Sequence, residues 1–421
     1  MERPCAFLIL VFIAFAAAFA KASPLLDLQV CPTCEINTLK QALEIARPGT
    51  TIYVEAGNYE ENNLLINKPL RIVGMKNQMR PVIDAKERGN GFIIQADHVE
   101  ISGLLIKNSG FSDTEEMAGI KVSKSTDCLI KNNLLENNTF GIYLAGSKSC
   151  SIIANQIHGT HRSESLSGNG IHIWNGENMT IEGNELTGNR DGIYFEFVKD
   201  SSIRKNKSFS NMRYGLHFMF SHNNEYRENL FQNNDCGVAV MYSRNVRMFR
   251  NRFENSHGPS SYGLLLKDIS ESLVAGNVFF DNTAGILLDG TTRTGFEGNL
   301  FKKNGWALRA LGDTDSNKIT RNDFIANTFD VTTNAGASQN EFIGNYWSRY
   351  RGLDLNHDGF GDEPFRPVQL SSMLMAHYEI SAMLTHSIFF SVLDQIENAL
   401  PTLTPETFKD MKPRMMRATD L

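Results

Sequence analysis

From Gly119 to Leu288 the chain reads as short runs of alternating apolar and polar positions, divided by Asn, Gly and Ser. That alternation is strand chemistry with turn punctuation. Variants of Gly-Ile-x-Leu begin at Gly119, Gly141, Gly170, Gly192, Gly215, Gly237, Gly263 and Gly285, with spacings of 22, 29, 22, 23, 22, 26 and 22. Asn at 133, 155, 184, 206, 229, 251, 277, 299, 322 and 345 keeps the same beat, long gaps included. A unit of about 22 residues holds no helix-length segment and cannot enclose a core by itself, so it must stack on copies of itself. The pattern predicts an all-β fold, a right-handed parallel β-helix with each strand bonded to its equivalent one coil away. In-register Asn would form amide ladders at its corners.

The ends of such a solenoid expose unpaired strand edges and need covering. Asn37 to Arg47 has helical spacing of Leu39, Ala42, Leu43 and Ala46, with Pro48-Gly49 as a stop, and predicts an N-terminal cap helix. From Leu370 to Leu400 apolar residues again recur at spacings of three and four, which predicts a helical tail. The expected organisation is a signal segment at 1–22, cap helix and first irregular coils at 23–110, regular β-helix at 111–347, an Asp/Gly-rich capping loop at 348–369 and the apolar tail at 370–421.

Strand alternation assigns the positions one and three after each repeat glycine to the core, Ile171 and Ile173 or Leu216 and Phe218 for example. Positions two and four then face outward, and in the middle coils they are His172, Trp174, Tyr194, Glu196, His217, Met219 and Met241. Met219 and Met241 share a phase and so stack about 4.8 Å apart, with His217 about 7 Å along the strand. Thioethers and imidazole suit Cu(I), a soft ion, which makes His172, His217, Met219 and Met241 the candidate copper ligands. The competing reading is a surface that merely contacts another protein. Two insertions, Thr160 to Ser167 and His257 to Ser261, fall just before this strand and are expected to protrude beside the patch.

A net charge of −6 excludes a strongly basic nucleic-acid binder. The apolar run Ala6 to Ala20, followed by small residues, reads as a secretory signal, since it is shorter than the roughly 20 residues that a membrane span needs. Export permits disulfides, and Cys31/Cys34 is expected to form one, with a redox pair or half a metal site as alternatives. Cys128 and Cys150 lie 22 apart at inward parity, so either a staple between coils or an unpaired ladder fits.

Asp354, Asn356, Asp358 and Asp362 occupy positions 1, 3, 5 and 9 of a calcium-loop pattern, but position 12 is Phe365. Calcium binding there needs Glu363, the Phe360 carbonyl or water, and the alternative is a capping turn. The tail is more apolar than a lone surface helix tolerates. Met373, Met375, Leu384, Ile388, Phe389 and Leu393 are therefore expected to dock on a partner, a membrane protein before others, or to pack on the solenoid itself.

Exported parallel β-helices often cleave acidic polysaccharides, so a lyase or hydrolase is the first competing class. It needs clustered Asp with Lys, Arg or His on one sheet face, and among the outward positions of the middle coils only Glu196 is a carboxylate. An adhesive scaffold is a third reading. The runs Arg213-Tyr-Gly-Leu-His-Phe-Met-Phe-Ser, Gly237-Val-Ala-Val-Met-Tyr-Ser-Arg, Tyr262-Gly-Leu-Leu-Leu-Lys-Asp-Ile-Ser, Gly344-Asn-Tyr-Trp-Ser-Arg-Tyr-Arg-Gly and Leu403-Thr-Pro resemble the NosD family, periplasmic copper-processing proteins of nitrous oxide reductase maturation. The resemblance runs from the cap helix to the tail. It implies a non-enzymatic accessory working with an ABC transporter of NosF and NosY type, copper receipt from a NosL-type lipoprotein and delivery toward a NosZ-type reductase. It also implies that the tail docks on the permease.

Overall fold

The computed structural model describes residues 27–75, 79–159, 163–334, 339–377, 392 and 408–418. The expected signal segment lies outside them. The chain winds into a parallel β-solenoid of about 13 turns at about 23 residues each. Successive turns add strands to three long parallel sheets, of 14, 13 and 12 strands. The smallest carries the repeat glycines, and its register pairs residues one coil apart, Leu216 with Val238 and Met219 with Met241 among them. Inward positions form one continuous apolar core along the whole solenoid. Within it Phe253, Phe279, Phe301, Phe324 and Trp347 stack face to face at 4.7, 4.9, 4.8 and 4.2 Å.

Both sequence markers have a physical cause. A Cβ on Gly237 would lie 2.3 Å from the Gly263 carbonyl oxygen, so the backbones of adjacent coils approach too closely for a side chain. The marker asparagines from Asn133 to Asn345 form an unbroken ladder, each Nδ2 donating to the next Oδ1 at 2.9–3.1 Å. Each is preceded by a residue in the left-handed region, such as Lys205, Glu228, Arg250 and Arg321, which turns the corner.

A second buried ladder, Asn282 to Asn304 to Asn327, runs beside the first, with Asn189, Asn211 and Asn234 as its earlier section. Both end on an aspartate. Asn327 donates to Asp330 and Asn345 to Asp410, acceptor-only groups that suit the last rung, where no further amide follows. Asp330 also occupies the repeat-glycine position, on the last strand of that sheet.

At the N-terminus the structure departs from expectation: a strand, Leu28–Val30, precedes the helix and pairs with Thr51–Val54. Helix α1, Leu39–Ile45, follows with Thr38 as its N-cap and buries Leu39, Ala42 and Leu43 against the first coil. At the other end the tail is in part a cap. Helix α2, Leu370–His377, begins with Ser371 and Ser372 buried, and the partly buried Met373 packs against the solenoid core, the alternative that the sequence left open beside partner docking. Met375 falls in α2, while Leu384, Ile388, Phe389 and Leu393 lie outside the described residues. The chain then returns at Phe408, buried against Phe342, and Asp410 seals the last coil. Among the described residues no helix is long and apolar enough to cross a membrane.

Among the described residues two disulfides are present. Cys31–Cys34 closes the N-terminal turn, and Cys128–Cys150 joins successive coils with Cα atoms 4.5 Å apart.

Candidate metal groove on the glycine-strand sheet

The outward face of the glycine-strand sheet carries two adjacent columns in register. One runs Tyr143, His172, Tyr194, His217, Ala239, and the other Ala145, Trp174, Glu196, Met219, Met241, Lys267. These positions do not all meet solvent, as simple alternation had implied. Rings pack along the first column, and Cys236, Ala239, Tyr262, Leu265 and Ala284 form a small apolar cluster outside the solenoid, with Met241 packed against it. The first insertion forms a short 3-10 turn, Glu164–Leu166, whose Glu164 reaches Arg213 at 3.7 Å. Between this insertion and the sheet lies a groove of about 400 Å³, lined by Phe140, Asn169, His172, Asp191, Tyr194, Arg213, His217 and Met219 among others.

His217 is 6% exposed, and neither ring nitrogen has a hydrogen-bond partner. Its Nδ1 faces Asp191 Oδ2 at 3.6 Å. Asp191 is itself buried and held by Arg213, Nε to Oδ1 at 3.1 Å and Nη2 to Oδ2 at 3.2 Å, and by the Tyr214 amide. Met219 sulfur accepts the Tyr194 hydroxyl at 3.5 Å and lies in register with Met241 on the next strand.

His172 has a different setting. The Tyr194 ring stands between the two imidazoles, 4.6 Å from His172 and 4.9 Å from His217, so the histidines do not converge on one point. Asn169 accepts the Asp191 amide through Oδ1, which leaves its Nδ2 to donate to His172 Nδ1 at 3.1 Å. His172 therefore carries its proton on Nε2, and burial pulls its pKa down to about 4, so the ring is neutral at ordinary pH. It offers the groove a donor instead of a lone pair. The structure therefore does not bring His172 and His217 together around one point, as their shared phase had suggested.

Asp191, Arg213 and Asn169 were missed by reading positions two and four alone. Their signal is nonetheless in the sequence: Asp191 is the one carboxylate at the position before a repeat glycine. His257 sits at the second insertion, exposed and 3.7 Å from Asp281, and takes no part in the groove. Among the described residues no three His, Cys, Asp or Glu side chains cluster as a metal site.

The Asp-rich loop brings its four expected calcium ligands into one exposed turn. Asp354 accepts the amides of Asp358 and Gly359, Asp358 that of Phe360, and Asp362 that of Leu355. Asn356 presents its NH₂ toward Asp358 and Asp362, so its oxygen does not join theirs. These side chains serve the turn that leads to the C-terminal cap.

Comparison with known proteins adds the family. A family model described as periplasmic copper-binding protein (NosD) matches residues 45–164 and 153–352. A probable ABC transporter binding protein NosD of Stutzerimonas stutzeri is 26% identical over 385 residues, covering 87% of this chain and 86% of that protein. One of the same name from Pseudomonas aeruginosa is 29% identical over 379 residues, covering 86% and 87%. Among solved structures, the Dettilon tailspike protein superposes with a TM-score of 0.56 at 13% identity over 74% of this chain and 66% of that one. A GH87 alpha-1,3-glucanase from Streptomyces thermodiastaticus gives 0.52 at 13% identity, over 74% and 62%. At such identities the two share the fold alone. The family model spans nearly the whole solenoid, and the chain belongs to the NosD family of periplasmic copper-binding proteins.

Proposed function

We propose that this chain is an exported, non-enzymatic accessory that holds copper in transit during maturation of a nitrous oxide reductase, while engaged with an ABC transporter at the inner membrane. Copper is the cargo. The observation that carries the reading is the in-register pair Met219 and Met241 beside His217, whose Nε2 has no protein partner. Two thioethers and one imidazole are a soft donor set that suits Cu(I) over harder divalent ions. Tyr194, bonded to the Met219 sulfur, must release it when the metal enters.

The relatives' names support the transporter partnership. The donor in this reading is a NosL-type lipoprotein, the recipient a NosZ-type reductase, and the docking element on a NosF/NosY-type transporter is the tail between the two capping segments. Asp191, the buried carboxylate of the groove, has both oxygens engaged by Arg213, which makes it a poor general base and disfavours the polysaccharide lyase or hydrolase reading.

Titration of the full-length exported chain with Cu(I), in competition with a chromophoric chelator, tests the site. Met219→Leu with Met241→Leu is expected to weaken binding at least tenfold, and unchanged affinity removes the site. Ser at Leu384, Ile388, Phe389 and Leu393 is expected to abolish co-purification with the permease. Turnover of uronate polymers would overturn the accessory reading.

A further inference from the structure

The 14-stranded and 13-stranded sheets meet at the corner turned by the first asparagine ladder, and on three successive coils that corner is lined with cations. Over residues 202–207, 225–230 and 247–252 there are seven Lys and Arg against two Glu, on a chain whose net charge is −6. Register stacks Arg204 on Arg227 about 4.8 Å apart, a pairing of like charges that costs a sheet stability. Arg204, Arg227 and Arg252 each reach a carboxylate, those of Glu182, Glu225 and Glu254. Lys205, Lys207, Arg247 and Arg250 are exposed and have no carboxylate partner among the described residues. We propose that this cationic edge is a contact surface for a membrane leaflet rich in anionic phospholipid.

The surroundings fit a lipid surface in three ways. A cleft of about 170 Å³ lies between Arg227 and Arg250 with Phe249 as its third wall, and the Arg227 guanidinium stands 5.5 Å from the centre of that ring. Two guanidiniums beside one cleft match the oxygens of a phosphate, which Arg binds in fork geometry. On the next coil Ser272 to Phe280 carries no charge, and its outward Leu273, Ala275, Val278 and Phe280 are only half-buried, so an apolar rung borders the cations. Cations beside apolar side chains are what the boundary between headgroups and acyl chains accepts. A corner of a closed coil is also convex, so Lys and Arg on its two flanks meet a deformable surface more readily than a rigid partner. Carboxylates elsewhere on the chain do not oppose this contact at physiological salt, where exposed charges farther apart than about 8 Å are largely screened. In a three-sided coil this corner lies opposite the glycine-strand sheet, so docking by it turns the groove away from the bilayer, toward soluble partners. The contact does not depend on what the groove binds.

Flotation of the full-length exported chain with lipid vesicles tests the surface. Uptake is expected by vesicles of phosphatidylglycerol mixed with phosphatidylethanolamine and not by phosphatidylcholine alone, and it is expected to fall about tenfold or more when NaCl is raised from about 0.1 M to about 1 M. Each Lys or Arg near an anionic surface contributes about fivefold, so Lys205→Ser, Lys207→Ser, Arg247→Ser and Arg250→Ser together are expected to weaken binding more than about tenfold. The charge-preserving set Lys205→Arg, Lys207→Arg, Arg247→Lys and Arg250→Lys is expected to bind as the unaltered chain does. Binding through the apolar tail would have a different signature, uptake that ignores both lipid charge and salt. Uptake that is absent, equal for both vesicle types or insensitive to salt overturns the proposal, and the unaltered chain decides these points even if the Ser variant fails to fold. A folded Ser variant that binds unchanged overturns it too. Capture on immobilised polyglutamate without uptake by the anionic vesicles would assign the edge to an acidic protein and overturn the membrane contact.

Discussion

Asp410 ends the longest asparagine ladder, and removing its carboxylate is the most direct probe of how the solenoid is closed. The residue is fully buried and accepts five hydrogen bonds, from the amides of Gly344, Asn345 and Lys412, from Asn345 Nδ2 and from the Trp347 indole, at 2.9–3.1 Å. Asp410→Ala leaves these donors facing a methyl group. A single unsatisfied buried donor costs about 1–3 kcal/mol, and removing one side of a buried charged network about 3–5 kcal/mol. Water can enter at an end more easily than mid-solenoid, so the expected loss is about 3–4 kcal/mol, well below five separate penalties.

A stacked array is quasi-one-dimensional, so the damage is expected to stay local. Hydrogen exchange followed by mass spectrometry should show the last coils, from Phe296 through Trp347, losing protection, while strands between Thr51 and Ile157 keep theirs. Urea unfolding should show the same loss as an earlier transition of the C-terminal portion. A change below about 1 kcal/mol, or protection lost evenly along the chain, would falsify the idea that this carboxylate terminates the ladder.

The second terminator gives a pH signature. Burial raises Asp330 to about 6, so its stabilising protonated form is lost as pH climbs from the unfolded value of 3.8 toward 6. Asp330→Asn, which keeps the acceptor for Asn327, is expected to raise stability by roughly 2–3 kcal/mol at pH 7.5, the gain shrinking toward zero near pH 4 in parallel urea titrations. Reducing Cys128–Cys150, which closes a loop of 22 residues, should cost about 3 kcal/mol by chain entropy, read by chemical denaturation of Cys128→Ser/Cys150→Ser. Gly237→Ala should cost more than about 2 kcal/mol, since its new methyl meets backbone and not a movable side chain, and a neutral result would contradict the close approach of coils. Tyr194→Phe, which frees the Met219 sulfur, is expected to tighten Cu(I) binding about two- to tenfold in the chelator competition.

The repeat was legible because two physical demands recur on every turn and each admits few residue types. Backbone approach demands glycine, and the corner ladder demands a side chain that both donates and accepts. The corner residue before each ladder Asn could not be read in the same way, because Lys205, Glu228, Arg250 and Arg321 all take the left-handed conformation once the neighbouring bonds hold them there. The second ladder was equally present in the sequence, but its break at Ser256 hides its period. The C-terminal cap was out of reach for another reason: Asp410 meets Asn345 across 65 residues, and no local pattern announces such a contact.

The groove shows where alternation stops being sufficient. Parity along a strand says on which side of a sheet a residue lies, and it placed His172, His217, Met219 and Met241 together on the outer side. It does not say how deep each sits, or what its ring nitrogens face. Those depend on neighbours supplied by other coils: Tyr194 from the coil between, Asp191 from just before a repeat glycine, and the insertion that brings Asn169 and Glu164 over the sheet. A solenoid fixes such neighbours rigidly, because each is pinned by strands on both sides. The same ladder geometry that makes the fold repetitive can therefore hold two chemically identical side chains in different settings two coils apart, His172 bonded to Asn169 and His217 beside Asp191.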